Sequence, residues 1–219
     1  MTSKHVAVVL SGCGVFDGAE IHESVLSLLA LARQGASYQC FAPDIAQHHV
    51  INHLTGEEMD ENRSVLVEAA RIARGDIKPL AEFDAREFDA ILLPGGFGAA
   101  KNLSNLAFKG PDCSVDPYLV TAVNAMVEAG KPIGALCISP AVLAKIFEGK
   151  AARLTIGNDP GTIGAIEAMG GRHQETTHGE VVIDERFKLV TSPCYLLDAN
   201  IGHIAEGADN TVRALLAMT

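Results

Sequence analysis

Strand-length apolar runs alternate along this chain with stretches of helical period, and that alternation leaves few folds open. The runs lie at 6–10, 38–42, 90–93, 132–136, 181–183 and 189–191, and helical patterns cover 21–34, 63–74, 117–129, 140–147, 162–169 and 201–218. Parallel strands need a long crossover between them, usually a helix, so the expected class is α/β with a mostly parallel sheet covered on both faces. The last two runs flank Asp184-Glu185-Arg186-Phe187 and alternate more clearly than the others. They are expected to form an antiparallel edge hairpin outside the central sheet. Between Asp44 and Pro79 lies a polar stretch carrying His48, His49 and His53, then a helix. It is longer than an ordinary α/β connection and reads as an insertion near a site mouth.

At 219 residues, with no repeat and no Pro/Ser-rich linker, a single domain over 1–219 is expected. Hydrophobic residues make up 48% and aromatic ones 5%, which predicts an aliphatic core of helices on a sheet. A net charge of -10 without any Lys/Arg cluster argues against a nucleic-acid partner. No apolar run approaches the roughly 18 residues of a membrane span, so no membrane partner is expected. The five cysteines are widely spaced, with no C-x-x-C pair, and read as free thiols. With no secretory h-region before the first strand, the expected location is cytoplasmic. On the first helix Ile21, Val25, Leu28, Leu29 and Ala32 form one apolar stripe, while Leu26 and Ala30 add apolar surface elsewhere. A helix apolar on more than one side needs a second cover, which predicts a homodimer contact.

Ligands of open parallel sheets sit beyond the carboxyl ends of the strands, so the segments after Leu10, Leu93 and Leu136 should converge. The first, SGCGVFDGAEIHE (11–23), is a Gly-rich turn opening a helix that bears Glu20 and Glu23. In the second, PGGFGAAKNLS (94–104), Gly95 and Gly96 let backbone N–H groups approach a ligand. The third, GKPIGALCISP (130–140), ends an apolar strand at Cys137, with Pro140 early in the next helix. A thiol at a helix N-terminus is expected to fall below its usual pKa of about 8.5 and act as a nucleophile. Cys40 lies inside a strand pattern, and Cys113 and Cys194 read as bystanders, whereas Cys13 lies in a strand-end loop that could face the same pocket. Glu20 and Glu23 are three apart, and at least one is expected only to complement the helix dipole. The spacing of His48, His49 and His53 matches no metal motif, and SGCGVFDG is not a dinucleotide fingerprint, so neither a metal nor another cofactor is expected.

These segments, in this order, resemble the ThiJ/PfpI branch of the class I glutamine-amidotransferase-like superfamily. Together with FAPD (41–44) and INHLTGE (51–57), they look most like the glyoxalase ElbB family, also called sigma cross-reacting protein or enhancing lycopene biosynthesis protein. The resemblance implies a flavodoxin-like three-layer sandwich, usually dimeric, with a nucleophile elbow at Cys137. It also implies a partner glutamate at Glu23, with Glu20 as runner-up, and oxyanion binding by Gly95, Gly96 and the N–H of Ile138. Two departures matter. The intracellular-protease group carries a histidine directly after the nucleophile, where Ile138 stands here, and the deglycase group carries one after the next strand, where LTIGND (154–159) has none. A Cys–His dyad therefore lacks its base unless His173, His178 or His203 folds back.

What the resemblance then implies is a small reactive aldehyde, glyoxal or methylglyoxal, attacked by Cys137 to give a hemithioacetal. Glu23 would move the proton between adjacent carbons, and water would release the hydroxy acid. Two alternatives use the same thiol: a redox-sensing or regulatory binding protein without turnover, and glutamine hydrolysis coupled to a partner synthase.

Overall fold

In β1 (His5–Val9), Val6 and Val8 face one side of a sheet and Ala7 and Val9 the other, and all four are buried. Only a strand covered on both faces is apolar at successive positions, and that is where the computed structural model, which describes residues 3–219, puts it. The chain runs on through α1 (Ile21–Arg33), β2 (Ser37–Ala42), α2 (Val65–Ile72), β3 (Ile77–Pro79), β4 (Ala90–Leu93), α3 (Phe97–Lys101) and α4 (Leu106–Lys109). Then follow α5 (Pro117–Glu128), β5 (Ile133–Leu136), α6 (Ser139–Ile146), β6 (Arg153–Leu154), α7 (Pro160–Ala168), β7 (Arg172–His173), β8 (Val182–Asp184), β9 (Leu189–Ser192) and α8 (Ile201–Ala217).

The central sheet has the order β3-β2-β1-β4-β5-β9-β8, parallel throughout except for the β8 edge. A short parallel pair, β6-β7, forms a second sheet. One helical layer, α1, α2 and α8, covers Val8, Leu92 and Val190 with Leu31, Ala69 and Leu215. The other, α3 to α7, covers Val9, Leu93 and Ala135 with Ala99, Val123, Val142 and Ile166. This is the expected three-layer α/β sandwich. Each fully buried aliphatic side chain here contributes on the order of 1.5–3 kcal/mol, and their near-perfect alternation between two clusters fixes the register of every central strand.

Three expectations about position are corrected. The 181–192 region does form an antiparallel edge hairpin, but inside the central sheet: β9 pairs parallel with β5 through Leu136↔Ser192. Its four residues are all buried, a fully covered strand that a surface hairpin would not have. The stretch from Asp44 to Pro79 is only partly an insertion. Residues 44–64 are irregular, tied by the isolated bridges Ala46↔Ser64 and Ile51↔Glu58, whereas α2 and β3 make a regular crossover to the opposite edge. The apolar stripe of α1 also divides differently. Leu28 is buried with Ala30 and Leu31, but Ile21, Val25 and Leu29 are 43%, 46% and 40% exposed. Among the described residues no helix is long and apolar enough to cross a membrane.

Candidate active site

Cys137 is the first residue past β5, held at φ +59° with its N–H donated to the Ser192 carbonyl at 2.9 Å. A left-handed backbone is uncommon for a residue with a Cβ and persists only where the surroundings fix it. Here they do. Ser139, at the first turn of α6, donates its hydroxyl to the Pro94 carbonyl at 2.7 Å, binding the elbow to the end of β4. Leu136, Cys194, Ile204 and Ala208 close around the cysteine, which is 6% exposed.

Glu23 reaches the thiol from α1 and is wholly buried. Its Oε2 accepts from the Gly95 N–H at 2.9 Å and its Oε1 from the Tyr195 N–H at 3.2 Å, while the carboxyl also shares a hydrogen bond with Cys137. Gly95 must be glycine, since a Cβ there would lie 2.3 Å from the Cys137 Cβ and 2.6 Å from Glu23 Oε2. Gly96, at φ +97°, turns its N–H to the sulfur. The N–H of Ile138, next along the chain after Cys137, has no hydrogen-bond partner among the described residues. Glu20 does something else: it is the N-cap of α1, its Oε2 accepting from the Glu23 N–H at 2.7 Å. Such a cap is worth about 1 kcal/mol and here also fixes the residue that carries the carboxyl.

Burial, and secondly the Glu20 charge, pushes the Glu23 carboxyl up to about 8, against the two backbone N–H groups that hold it. Burial also pushes the Cys137 thiol well above the ordinary range, followed by the Glu23 charge, and the Gly96 N–H only partly opposes this. The low-pKa thiolate expected from the helix terminus is therefore corrected. Desolvation of a fully enclosed sulfur outweighs a few N–H dipoles, and a second negative charge beside Glu23 is excluded. The pair is uncharged at neutral pH and carries one charge above about 8.

The structure thus brings Cys137, Glu23, Gly95, Gly96 and Ile138 together. Gly95 does not offer its N–H to a ligand, because Glu23 already takes it. Cys13 turns away, its charged neighbours being Glu68, Arg71 and Asp17. Residues 44–64 pack on the Gly-rich turn: Ile51 N–H donates to Asp17 at 2.7 Å, and the Phe16 N–H donates to His53 Nε2 at 3.3 Å. His48, His49 and His53 belong to that packing, and no cluster among the described residues has the makings of a metal site. None of the candidate bases folds back. His173 accepts from the Ile156 N–H, and His178 stacks on His203 with ring centres 4.1 Å apart.

Two neighbours of the pair were missed in the sequence, Tyr195, which drew no notice, and Cys194, which read as a bystander. Both lie just beyond β9, after Pro193, so the strand-end rule would have found them had β9 been placed in the central sheet. Tyr195 supplies an N–H to Glu23 and its hydroxyl pairs with His22 Nδ1 at 2.7 Å, while Cys194 shares the buried cluster of Cys137.

Residues 13–195 match the model of the DJ-1/PfpI family. The chain belongs to that family. A human relative, glutamine amidotransferase-like class 1 domain-containing protein 3, mitochondrial, is 43% identical over 99% of this chain and 84% of its own length. The rat ES1 protein homolog, mitochondrial, is 42% identical over 98% of this chain and 84% of its own. Among solved structures, an isoprenoid biosynthesis protein with amidotransferase-like domain from Ehrlichia chaffeensis superposes with a TM-score of 0.92 at 36% identity, covering 99% of both chains. None of these names is that of the ElbB family, and the membership they show is DJ-1/PfpI. The expected cytoplasmic location is overturned by the human and rat relatives, both mitochondrial by name. The missing secretory h-region bears on export alone and never distinguished cytosol from organelle.

Proposed function

We propose that this DJ-1/PfpI family member is a cofactor-independent glyoxalase of the ElbB type, converting glyoxal or methylglyoxal to the hydroxy acid. The observation that carries the reading is the buried pair itself: a thiol at a strained elbow hydrogen-bonded to a carboxyl whose pKa is raised to about 8. A group near that value can both take and return protons at neutral pH, which isomerisation between adjacent carbons requires. In the singly charged pair Glu23 takes the thiol proton as Sγ bonds to the aldehyde carbon, then delivers it to the carbonyl oxygen. The Gly96 and Ile138 N–H groups face the oxygen while it carries charge. Glu23 next removes the proton from the carbon bonded to sulfur and returns it to the neighbouring carbon through an enediol. The resulting thioester is hydrolysed by one water, so glyoxal plus water becomes glycolate and the thiol is restored.

Among the described residues no histidine hydrogen-bonds to Cys137, which disfavours glutamine hydrolysis, a reaction that needs a base for a second leaving group. The exposed Ile21, Val25 and Leu29 stripe supports a second copy of the chain as its cover. Conversion of glyoxal to glycolate without additives, in wild type, Cys137→Ser, Glu23→Gln and Glu20→Gln, tests the reading. Loss by a factor of about 10² or more in the first two variants is the expected result. Wild type that produces no glycolate while Cys137 is selectively oxidised would replace the enzyme with a thiol sensor.

A further inference from the structure

The carboxyl of Glu23 is held by two backbone donors of unequal standing. The Gly95 N–H, at 2.9 Å, belongs to a segment locked onto α1, since the Gly95 carbonyl accepts from the Glu20 N–H at 2.9 Å and no side chain fits between Gly95 and the pair. The Tyr195 N–H, at 3.2 Å, comes from the single turn Cys194–Leu196 beyond β9. That turn begins at Cys194 with φ +44°, a backbone that a residue with a Cβ keeps only where its surroundings impose it. The hydrogen bonds from Leu196 N–H to Pro193 and from Leu197 N–H to Cys194 fix the shape of the turn, not its place. Among the described residues two hydrogen bonds tie it to α1, and both involve Tyr195: its N–H on Glu23 Oε1 and its hydroxyl on His22 Nδ1 at 2.7 Å. Successive residues of a helix lie about 100° apart around its axis, so His22 faces out while Glu23 faces the site, and Tyr195 straddles the edge of α1. Its ring packs on the cluster around Cys137, as a phenylalanine would; the hydroxyl is what tyrosine adds.

From this geometry we infer that Tyr195 is a positioning residue for the Cys137–Glu23 pair: its hydroxyl, anchored on His22, holds the 194–196 turn on α1 and so keeps the Tyr195 N–H on Glu23 Oε1. The catalytic consequence rests on the glyoxalase reading of the same site. An N–H on a carboxylate favours its charged form, and the Tyr195 N–H is the strongest of the groups that oppose the upward push on Glu23. The titratable groups facing Glu23 are Glu20 on its own helix, Cys137 beyond β5, and Cys194 and the Tyr195 hydroxyl beyond β9; Gly95 and the α8 residues Ile204 and Ala208 carry no ionisable side chain. Freed from His22, the turn moves off α1 and Glu23 keeps its proton to higher pH. The singly charged pair then forms at higher pH too.

The test follows, against pH, the rate at which iodoacetamide alkylates Cys137, located by peptide mass spectrometry, and kcat/KM for glyoxal. It uses the purified full chain as wild type, Tyr195→Phe, His22→Leu and the double variant. The expected result is an inflection about 0.5–1 pH unit higher in each single variant, part of the roughly 1–2 units that losing one N–H on a carboxylate altogether would give. The double variant should move no further than either single one. His22 is exposed, so its variant keeps the test decisive should Tyr195→Phe fail to fold. An alkylation inflection unmoved in a folded single variant, or shifts that add in the double one, overturns the positioning role even where the maximal rate has fallen. Glyoxal turnover separates the two readings. A shifted alkylation profile without Cys137-dependent turnover overturns the glyoxalase and keeps the positioning role, whereas turnover with an unshifted profile does the reverse.

Discussion

A carboxyl carried uncharged into the fold leaves a signature in stability as well as in rate, and Glu23→Gln isolates it. Glu23 titrates near 4.5 when exposed and near 8 in its buried place. A folded pKa raised above the unfolded one means that the folded state holds the proton more tightly. Its contribution is then fully present below about 4.5 and lost progressively as pH rises to about 8. The ratio of the two ionisation polynomials makes the cost about 1 kcal/mol at about pH 5.5 and about 4–5 kcal/mol at about pH 8.5. Wild type should therefore lose about 3 kcal/mol over that interval through this group alone, a large part of the 5–15 kcal/mol typical of a folded domain.

Other groups titrate in the same window, but with identifiable signs. Burial lowers His49 and His173, which makes the fold gain stability as pH rises toward their ordinary value of 6.5 and adds nothing beyond it, the opposite direction. Both remain in Glu23→Gln, so subtracting the two stability curves removes them. The glutamine has one acceptor where the carboxylate had two, so either Gly95 or Tyr195 loses its partner, at about 1–3 kcal/mol that does not depend on pH. The measurement is urea unfolding followed by circular dichroism at several pH values. The wild-type curve should fall toward alkaline pH relative to the variant by about 3 kcal/mol. Parallel curves would mean that Glu23 is ionised throughout, and the account of the pair would be wrong.

Three further outcomes follow from the same geometry. The kcat/KM for glyoxal should rise about tenfold per pH unit and level off above about 8, and Glu20→Gln should move the inflection down because it removes the second cause of the upward push; a profile flat across this range refutes the proton role. Gly95→Ala drives a Cβ to 2.3 Å from Cys137 Cβ, so it should abolish glycolate formation and lower urea stability by about 1–3 kcal/mol; turnover within twofold of wild type would refute the close packing. Val25→Glu puts a charge on the exposed face of α1 and should shift sedimentation from dimer to monomer, whereas an unchanged sedimentation coefficient removes that face as the contact.

What the sequence disclosed and what it withheld divide along a physical line. Strands of four or more residues with every position apolar, such as β4 and β5, were legible because covering both faces of a parallel strand demands that composition. The strands β3, β6 and β7 were not, since two or three residues including Lys78, Pro79, Arg153 and Arg172 carry no period to detect. The elbow at Cys137 followed from its place at a strand end, a property of local order along the chain. The state of its proton did not, because the groups that enclose it, Leu136, Cys194, Ile204 and Ala208, come from β5, from beyond β9 and from α8, and enclosure is what sets the sign of the shift. The same cause explains Tyr195. Its N–H matters only once β9 is the neighbour of β5, and reading 189–191 as a surface hairpin removed from view the backbone that holds Glu23. A nucleophile can thus be found from where the chain turns, whereas its reactivity depends on which distant segments pack against that turn. The pH dependence of stability is the more searching test of the pair, since it reports on that packing directly, whichever aldehyde the site turns over.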